Sequence, residues 1–213
     1  AKGRQLRTFD IGLTVIDREL PPPAEWNYYL DLWQHPAAVA RVEGLDMWSD
    51  AHFEALVPYM RLLADAGQKV VTTTLNKDPW NNQCFDSYAD MIVWTKNADG
   101  SWSYDYTVFD RWVELMTGLG IDHTINCYSM LPWNNELHYR DGVTGRFVDV
   151  TADPGTPAFE ELWVPFLTDF TGHLREKGWL GRTNIAMDER SPEEMTDALD
   201  LLRKTAPELG IAM

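Results

Sequence analysis

Thr183-Asn184-Ile185-Ala186-Met187-Asp188-Glu189-Arg190 reads as a short buried strand that runs straight into two adjacent carboxylates and an arginine. Side chains alternate along a strand, so Asn184, Ala186 and Asp188 share one face while Ile185 and Met187 share the other. A small-polar face opposite an apolar one fits a strand of an α/β barrel, packed outside on helices and open inside to a site. The chain then turns at Glu189. Ser191-Pro192-Glu193-Glu194 offers a helix N-cap, a proline at the first helical position and a capping-box glutamate. Asp188 and Glu189 thereby lie at the carboxyl end of a strand, where catalytic groups of such barrels sit. Taken alone, the same residues also describe a solvated acidic turn with Arg190 as ion partner.

The pattern repeats upstream. Strands are expected near 26–33, over Lys69–Leu75 and over Asp122–Tyr128, and another at Gly210-Ile211-Ala212-Met213. Between them run helical patterns: Ser49 before Phe53, Leu56, Val57, Met60, Leu63 and Ala64; Val108 to Met116; Phe159 to Leu174; and Met195 to Leu202. Pro58 and Pro165 fall inside two of these and predict a kink or a division. Hairpins are expected at 91–106, turning at Asn97-Ala98-Asp99-Gly100, and at about 137–151. Strand–helix alternation calls for a parallel sheet. No Gly-rich phosphate loop follows any strand, and the polar inner faces favour closure over an open sheet. The expected fold is therefore an α/β, (β/α)8 TIM barrel, incomplete here with about five of the eight strands, and with hairpin insertions after strands 2 and 3.

Residues 1–24 read differently. Arg7–Val15 has strand character and Pro21-Pro22-Pro23 imposes an extended connector. We expect 1–24 to be the end of an upstream β-domain plus a linker, and 25–213 to be the N-terminal part of the barrel. With no initiator Met and a strand-like ending, the sequence reads as an excerpt of a longer polypeptide.

A net charge of −15 argues against nucleic acid, which needs clustered Lys and Arg, and against insertion at anionic membranes. Two cysteines, Cys84 and Cys127, without a CxxC or a His cluster give no zinc site; no cofactor or metal is expected. Ten tryptophans are more informative, because several fall in loops, where an aromatic face stacks on a sugar ring as readily as it packs. Trp33, Trp80, Trp133 and Tyr128 are candidate walls, and Asn81, Asn126 and Asn134 candidate partners for hydroxyls, each with packing or turn formation as the alternative. Asp31 is a candidate anchor for a network with Thr73 or Asn126.

Aromatics for a ring, amides for hydroxyls and carboxylates for a bond suggest glycoside chemistry. The usual scheme needs two carboxylates about 5–5.5 Å apart for retention, or about 6.5–9.5 Å for inversion, and neighbours on a strand diverge. Adjacent acids fit substrate assistance instead: Glu189 as general acid and base, Asp188 orienting a 2-acetamido group that is itself the nucleophile. A two-carboxylate glycosidase with its nucleophile outside this chain, and a sugar-binding module without catalysis, stay open.

Leu30-Asp31-Leu32-Trp33-Gln34-His35-Pro36, Asn126-Cys127-Tyr128-Ser129-Met130 and Ile185-Ala186-Met187-Asp188-Glu189-Arg190 together resemble the catalytic domain of glycoside hydrolase family 123, over roughly residues 25–213. The resemblance implies a (β/α)8 barrel behind an N-terminal β-sandwich, and an extracytoplasmic setting. It also implies substrate-assisted, retaining hydrolysis of terminal β-linked N-acetylgalactosamine, with the family's Asp-Glu pair at Asp188 and Glu189. Glu189 would then have to be protonated at the outset, its pKa raised by burial and by Asp188. Arg190 is expected to face outward and support the loop.

Overall fold

The computed structural model describes residues 7–212. The strand expected over 7–15 is not formed: Ile11 and Leu13 are 89% and 87% exposed, and no described strand pairs with the segment. A single 3-10 turn, Pro23–Glu25, leads into the region expected to be the first barrel strand.

That strand is also absent. Residues 26–33 contribute only an isolated parallel bridge, Leu30 to Gln68, and a bond from the Lys69 amide to the Leu30 carbonyl at 2.9 Å. Two glutamine side chains take over the ladder. Gln68 accepts from the Leu32 amide at 2.9 Å and donates to the carbonyls of Leu32 and Val70 at 3.1 and 2.8 Å. Gln34 accepts from the Thr72 amide at 2.8 Å and donates to the Val70 carbonyl at 3.2 Å. The cause is local. Pro36 opens a helix, α1 (Pro36–Glu43), closed by Gly44 at φ +66°, so the chain leaves the sheet edge before a ladder can extend.

From there the alternation holds. Helix α2 (Asp50–Asp65), capped by the Ser49 hydroxyl, precedes strand β1 (Val70–Thr74). The first hairpin, β2 (Val93–Lys96) and β3 (Trp102–Asp105), precedes α3 (Thr107–Gly118) and β4 (Thr124–Tyr128). The second hairpin, β5 (Glu136–Asp141) and β6 (Phe147–Thr151), precedes α4 (Pro157–Glu176). Strand β7 (Thr183–Ala186), α5 (Pro192–Thr205) and β8 (Gly210–Ala212) close the described chain. Pro58 and Pro165 do not divide α2 or α4; the carbonyls they deprive of a helical donor belong to Glu54 and Glu161, both exposed residues. No helix among the described residues is long and apolar enough to cross a membrane.

Among the described residues the result is a mixed α/β fold with five α-helices and a parallel sheet in the order β1-β4-β7-β8. Its register aligns Thr72, Asn126, Asn184 and Gly210 across one face, with Thr74, Tyr128, Ala186 and Ala212 one layer above. The opposite face presents Val71, Ile125, Cys127 and Ile185 to the main core, which α2, α3, α4 and α5 complete with Leu56, Trp112, Phe166 and Leu202. The two hairpins also join each other. Strand β2 pairs in parallel with β5 through Thr95–Arg140 and Lys96–Asp141, giving a second sheet β3-β2-β5-β6. Indole donors fasten the layers: Trp112 Nε1 to the Thr72 carbonyl at 2.9 Å and Trp94 Nε1 to the Leu75 carbonyl at 3.1 Å.

Candidate active site

Strand β7 ends at Ala186, two residues before Asp188, and its two faces separate as period two requires. Ile185 and Met187 enter the main core, whereas Ala186 joins a small aromatic cluster with Trp80, Tyr88 and Tyr128, against which Trp133 packs. Asp188, half-buried, accepts a hydrogen bond from Trp80 Nε1 at 2.9 Å. Glu189 is exposed and carries a φ of +49°, so the strand alternation breaks at this residue. The burial expected around Glu189 is not supplied by the described residues.

Trp33, Trp80 and Tyr128 form a triangle: ring centroids lie 4.9 Å apart for Trp33–Trp80, 5.0 Å for Trp33–Tyr128 and 4.9 Å for Trp80–Tyr128. Trp80 is buried and Trp33 is 46% exposed, so one ring is the wall's base and the other its open edge. Tyr88, which nothing in its sequence context marks, extends the wall at 4.5 Å from Trp80, and His35 stacks on Tyr88 at 4.0 Å. Trp133 is half-buried; its Nε1 is buried without an acceptor among the described residues. Asn134 is exposed at φ +64° and is shaping its own turn.

Asn126 lies under the wall and not in it. It is buried, accepts from Asn184 Nδ2 at 3.0 Å, and donates weakly to Asp31 Oδ2 at 3.5 Å. Asp31 thus meets Asn126, while Thr73 bonds the Asn126 carbonyl from the opposite face. Gly210 completes this floor: a Cβ there would collide with Asn184 Oδ1. Asp31 Oδ1 is buried without a partner among the described residues. Burial raises the Asp31 pKa from its ordinary value, against hydrogen bonds from Asn126 and Gln68 that pull it down. Burial likewise raises Tyr128, helped by the negative fields of Asp31 and Asp188, and pushes Tyr88 up to about 12. Burial lowers His35, although Asp86 and Asp78 oppose it. The wall therefore presents neutral phenols and a neutral imidazole beside Asp188 at ordinary pH.

Arg190 is not directed outward. Its side chain is 12% exposed, and Nη2 donates to Asn135 Oδ1 at 2.6 Å and to Glu194 Oε1 at 2.5 Å. The capping box expected at Ser191 and Glu194 is formed. Cys84 is exposed and Cys127 buried, and neither is bonded to the other.

A family model described as the catalytic domain of glycoside hydrolase 123 matches residues 33–213. A solved structure of a family 123 glycoside hydrolase from Clostridium perfringens, whose title concerns glycolipid glycan hydrolysis, superposes with a TM-score of 0.81 at 36% sequence identity. The alignment covers 86% of this chain and 33% of that one, so the chain spans a third of that relative's length. No curated protein matches. A sequence match over most of the chain and a common backbone agree, and this chain belongs to glycoside hydrolase family 123.

Proposed function

We propose that the chain is the catalytic portion of a glycosidase that removes terminal β-linked N-acetylhexosamine, N-acetylgalactosamine in preference, by substrate-assisted retaining hydrolysis. The observation that carries this reading is the unequal setting of two adjacent acids. Asp188 is held half-buried by an indole N–H beside an aromatic triangle, and Glu189 stands exposed at the break in the strand pattern.

In this reaction Glu189 gives its proton to the glycosidic oxygen as the bond to the anomeric carbon breaks. The substrate's own acetamido oxygen attacks that carbon, forming an oxazolinium. Asp188 accepts the acetamido N–H and stabilises the positive charge as it develops. Glu189, now a carboxylate, takes a proton from water, which attacks the same carbon and restores the acetamide. The two displacements retain the anomeric configuration. The triangle supplies a hydrophobic wall for the sugar face and the acetamido methyl. The same reading takes the parallel sheet as an arc of a (β/α)8 barrel, residues 1–24 as the join to an upstream β-domain, and the setting as extracytoplasmic.

The test is an aryl-glycoside panel on the full-length protein. Aryl β-N-acetylgalactosaminide is expected to be cleaved with retention, and Glu189→Gln to lower the rate by about 100- to 10,000-fold, the usual worth of a general acid–base group. Asp188→Asn is expected to be comparably severe, and a thiazoline that mimics the oxazoline to inhibit. An unchanged rate in Glu189→Gln, or indifference to the thiazoline, overturns the proposal.

A further inference from the structure

The sequence Pro-Trp-Asn-Asn occurs twice, at 79–82 and 132–135, and each copy follows a parallel strand, β1 and β4. The two copies share a backbone conformation: Asn81 and Asn82 have φ of +49° and +61°, Asn134 and Asn135 of +64° and +54°. Asparagine tolerates this left-handed region better than other side chains with a Cβ, which accounts for the residue type at all four positions. The turns are tied together, the Trp133 amide donating to the Pro79 carbonyl at 2.9 Å.

Each turn also holds one end of the segment between them. Trp80 of the first turn donates to Asp188 at 2.9 Å, and Asn135 of the second accepts from Arg190 at 2.6 Å. Between those two bonds lies Glu189 at φ +49°. A residue other than Gly or Asn is strained in such a conformation and persists there only when its surroundings over-determine it. Here the surroundings are the two repeated turns.

We infer that the paired Pro-Trp-Asn-Asn turns clamp the Asp188–Arg190 segment from both sides, and that Arg190 is a positioning residue which fixes where Glu189 presents its carboxyl group. This rests on Glu189 being the acid and base of the reaction proposed above. The plainer account of Arg190, a helix-surface i,i+4 pair with Glu194, does not cover the facts. Such exposed pairs contribute little, whereas the Arg190 side chain is 12% exposed and its other acceptor lies 55 residues away in sequence. The pair with Glu194 adds a third anchor, to the first turn of α5. Asn135 is itself braced, donating Nδ2 to Asp153 Oδ1 at 2.8 Å and accepting the Ala152 amide at 3.0 Å.

The two arms of the clamp serve different steps, which makes the inference separable from a general loss of structure. Asp188 assists the acetamido nucleophile whatever the leaving group. Glu189 as acid matters only where the leaving group is too basic to depart unprotonated. The experiment therefore measures kcat/KM, which reports the chemistry up to the oxazolinium, in the full-length protein. Two aryl β-N-acetylgalactosaminides are compared, one with an acidic dinitrophenol and one with an unactivated phenol.

Arg190→Ala is expected to lower kcat/KM for the unactivated substrate by about 100-fold more than for the dinitrophenyl one, the cost of a displacement of about 1 Å at a reacting group. Arg190→Lys is expected to recover part of that difference. Unfolded protein in a sample lowers both rates by one factor and leaves their ratio untouched, so poor folding does not imitate the result. If Glu189→Gln shows the leaving-group dependence and Arg190→Ala lowers both substrates equally, the clamp is overturned while the catalytic reading stands. If Glu189→Gln changes neither substrate, the catalytic reading falls and the clamp's function falls with it.

Discussion

At the residue scale, the backbone gives two neighbouring carboxylates different settings. Asp188, two residues past the end of β7, meets an indole donor, and Glu189 takes a left-handed φ. A third acid, Asp31, lies one layer below with one oxygen unpartnered, and its raised pKa records that the folded state holds its charge at a cost. The sign of the linkage follows. A carboxyl group whose folded pKa lies above its unfolded value binds more protons folded than unfolded across that interval. Its ionisation there removes stability as pH rises. Asp31→Asn keeps an acceptor for Asn126 and Gln68 but carries no charge. It is expected to raise the melting temperature near neutral pH, with the gain disappearing below the ordinary carboxylate range. A stabilisation that does not vary with pH would show that burial of the charge is not what Asp31 costs the fold.

At the element scale, the segment from 26 to 35 shows how a strand is replaced. Three backbone groups, the Leu32 amide and the carbonyls of Leu32 and Val70, end on the single Gln68 amide. Gln68→Leu would leave the Leu32 amide without its partner and the carbonyls of Leu32 and Val70 with Gln34 alone, a loss of about 1–3 kcal/mol for each group that neither Gln34 nor water satisfies. The expected outcome is a lower denaturation midpoint, with new protease sensitivity concentrated between Trp26 and His35. An unchanged midpoint would mean that water replaces the amide. The same segment explains why the strand expected near 26–33 is absent. Alternation at Leu30 and Leu32 looked like a full strand, yet Pro36 and Gly44 already marked a helix start and stop that cut it short.

At the scale of the whole molecule, the charge of −15 sits on a chain whose candidate wall is neutral and aromatic. A neutral glycoside approaches such a surface without electrostatic help or hindrance, and an anionic one is repelled. Ionic strength near 0.1 M screens charges beyond about 10 Å. Added salt is therefore expected to raise kcat/KM for a sulfated N-acetylgalactosaminide while leaving that of the neutral aryl glycoside flat; equal responses would show that net charge has no part in substrate choice.

The sequence by itself determined the elements whose cause is local. Period-two alternation from Asn184 to Asp188 sorts Ile185 and Met187 from Ala186 and Asp188 without reference to anything distant. Ser191, Pro192 and Glu194 likewise specify a helix start within four residues. Each hairpin was legible for the same reason, in its own turn residues. Only the tertiary structure decided which of these pieces meet. The β2–β5 pairing, the Asn126–Asn184 floor over Gly210, and the bonds from Trp80 to Asp188 and from Asn135 to Arg190 join residues 45 to 108 positions apart where a partner is named by no local pattern. Contacts of that span depend on packing, since many loops can close over such lengths at nearly the same entropic cost and only the buried surfaces select among them.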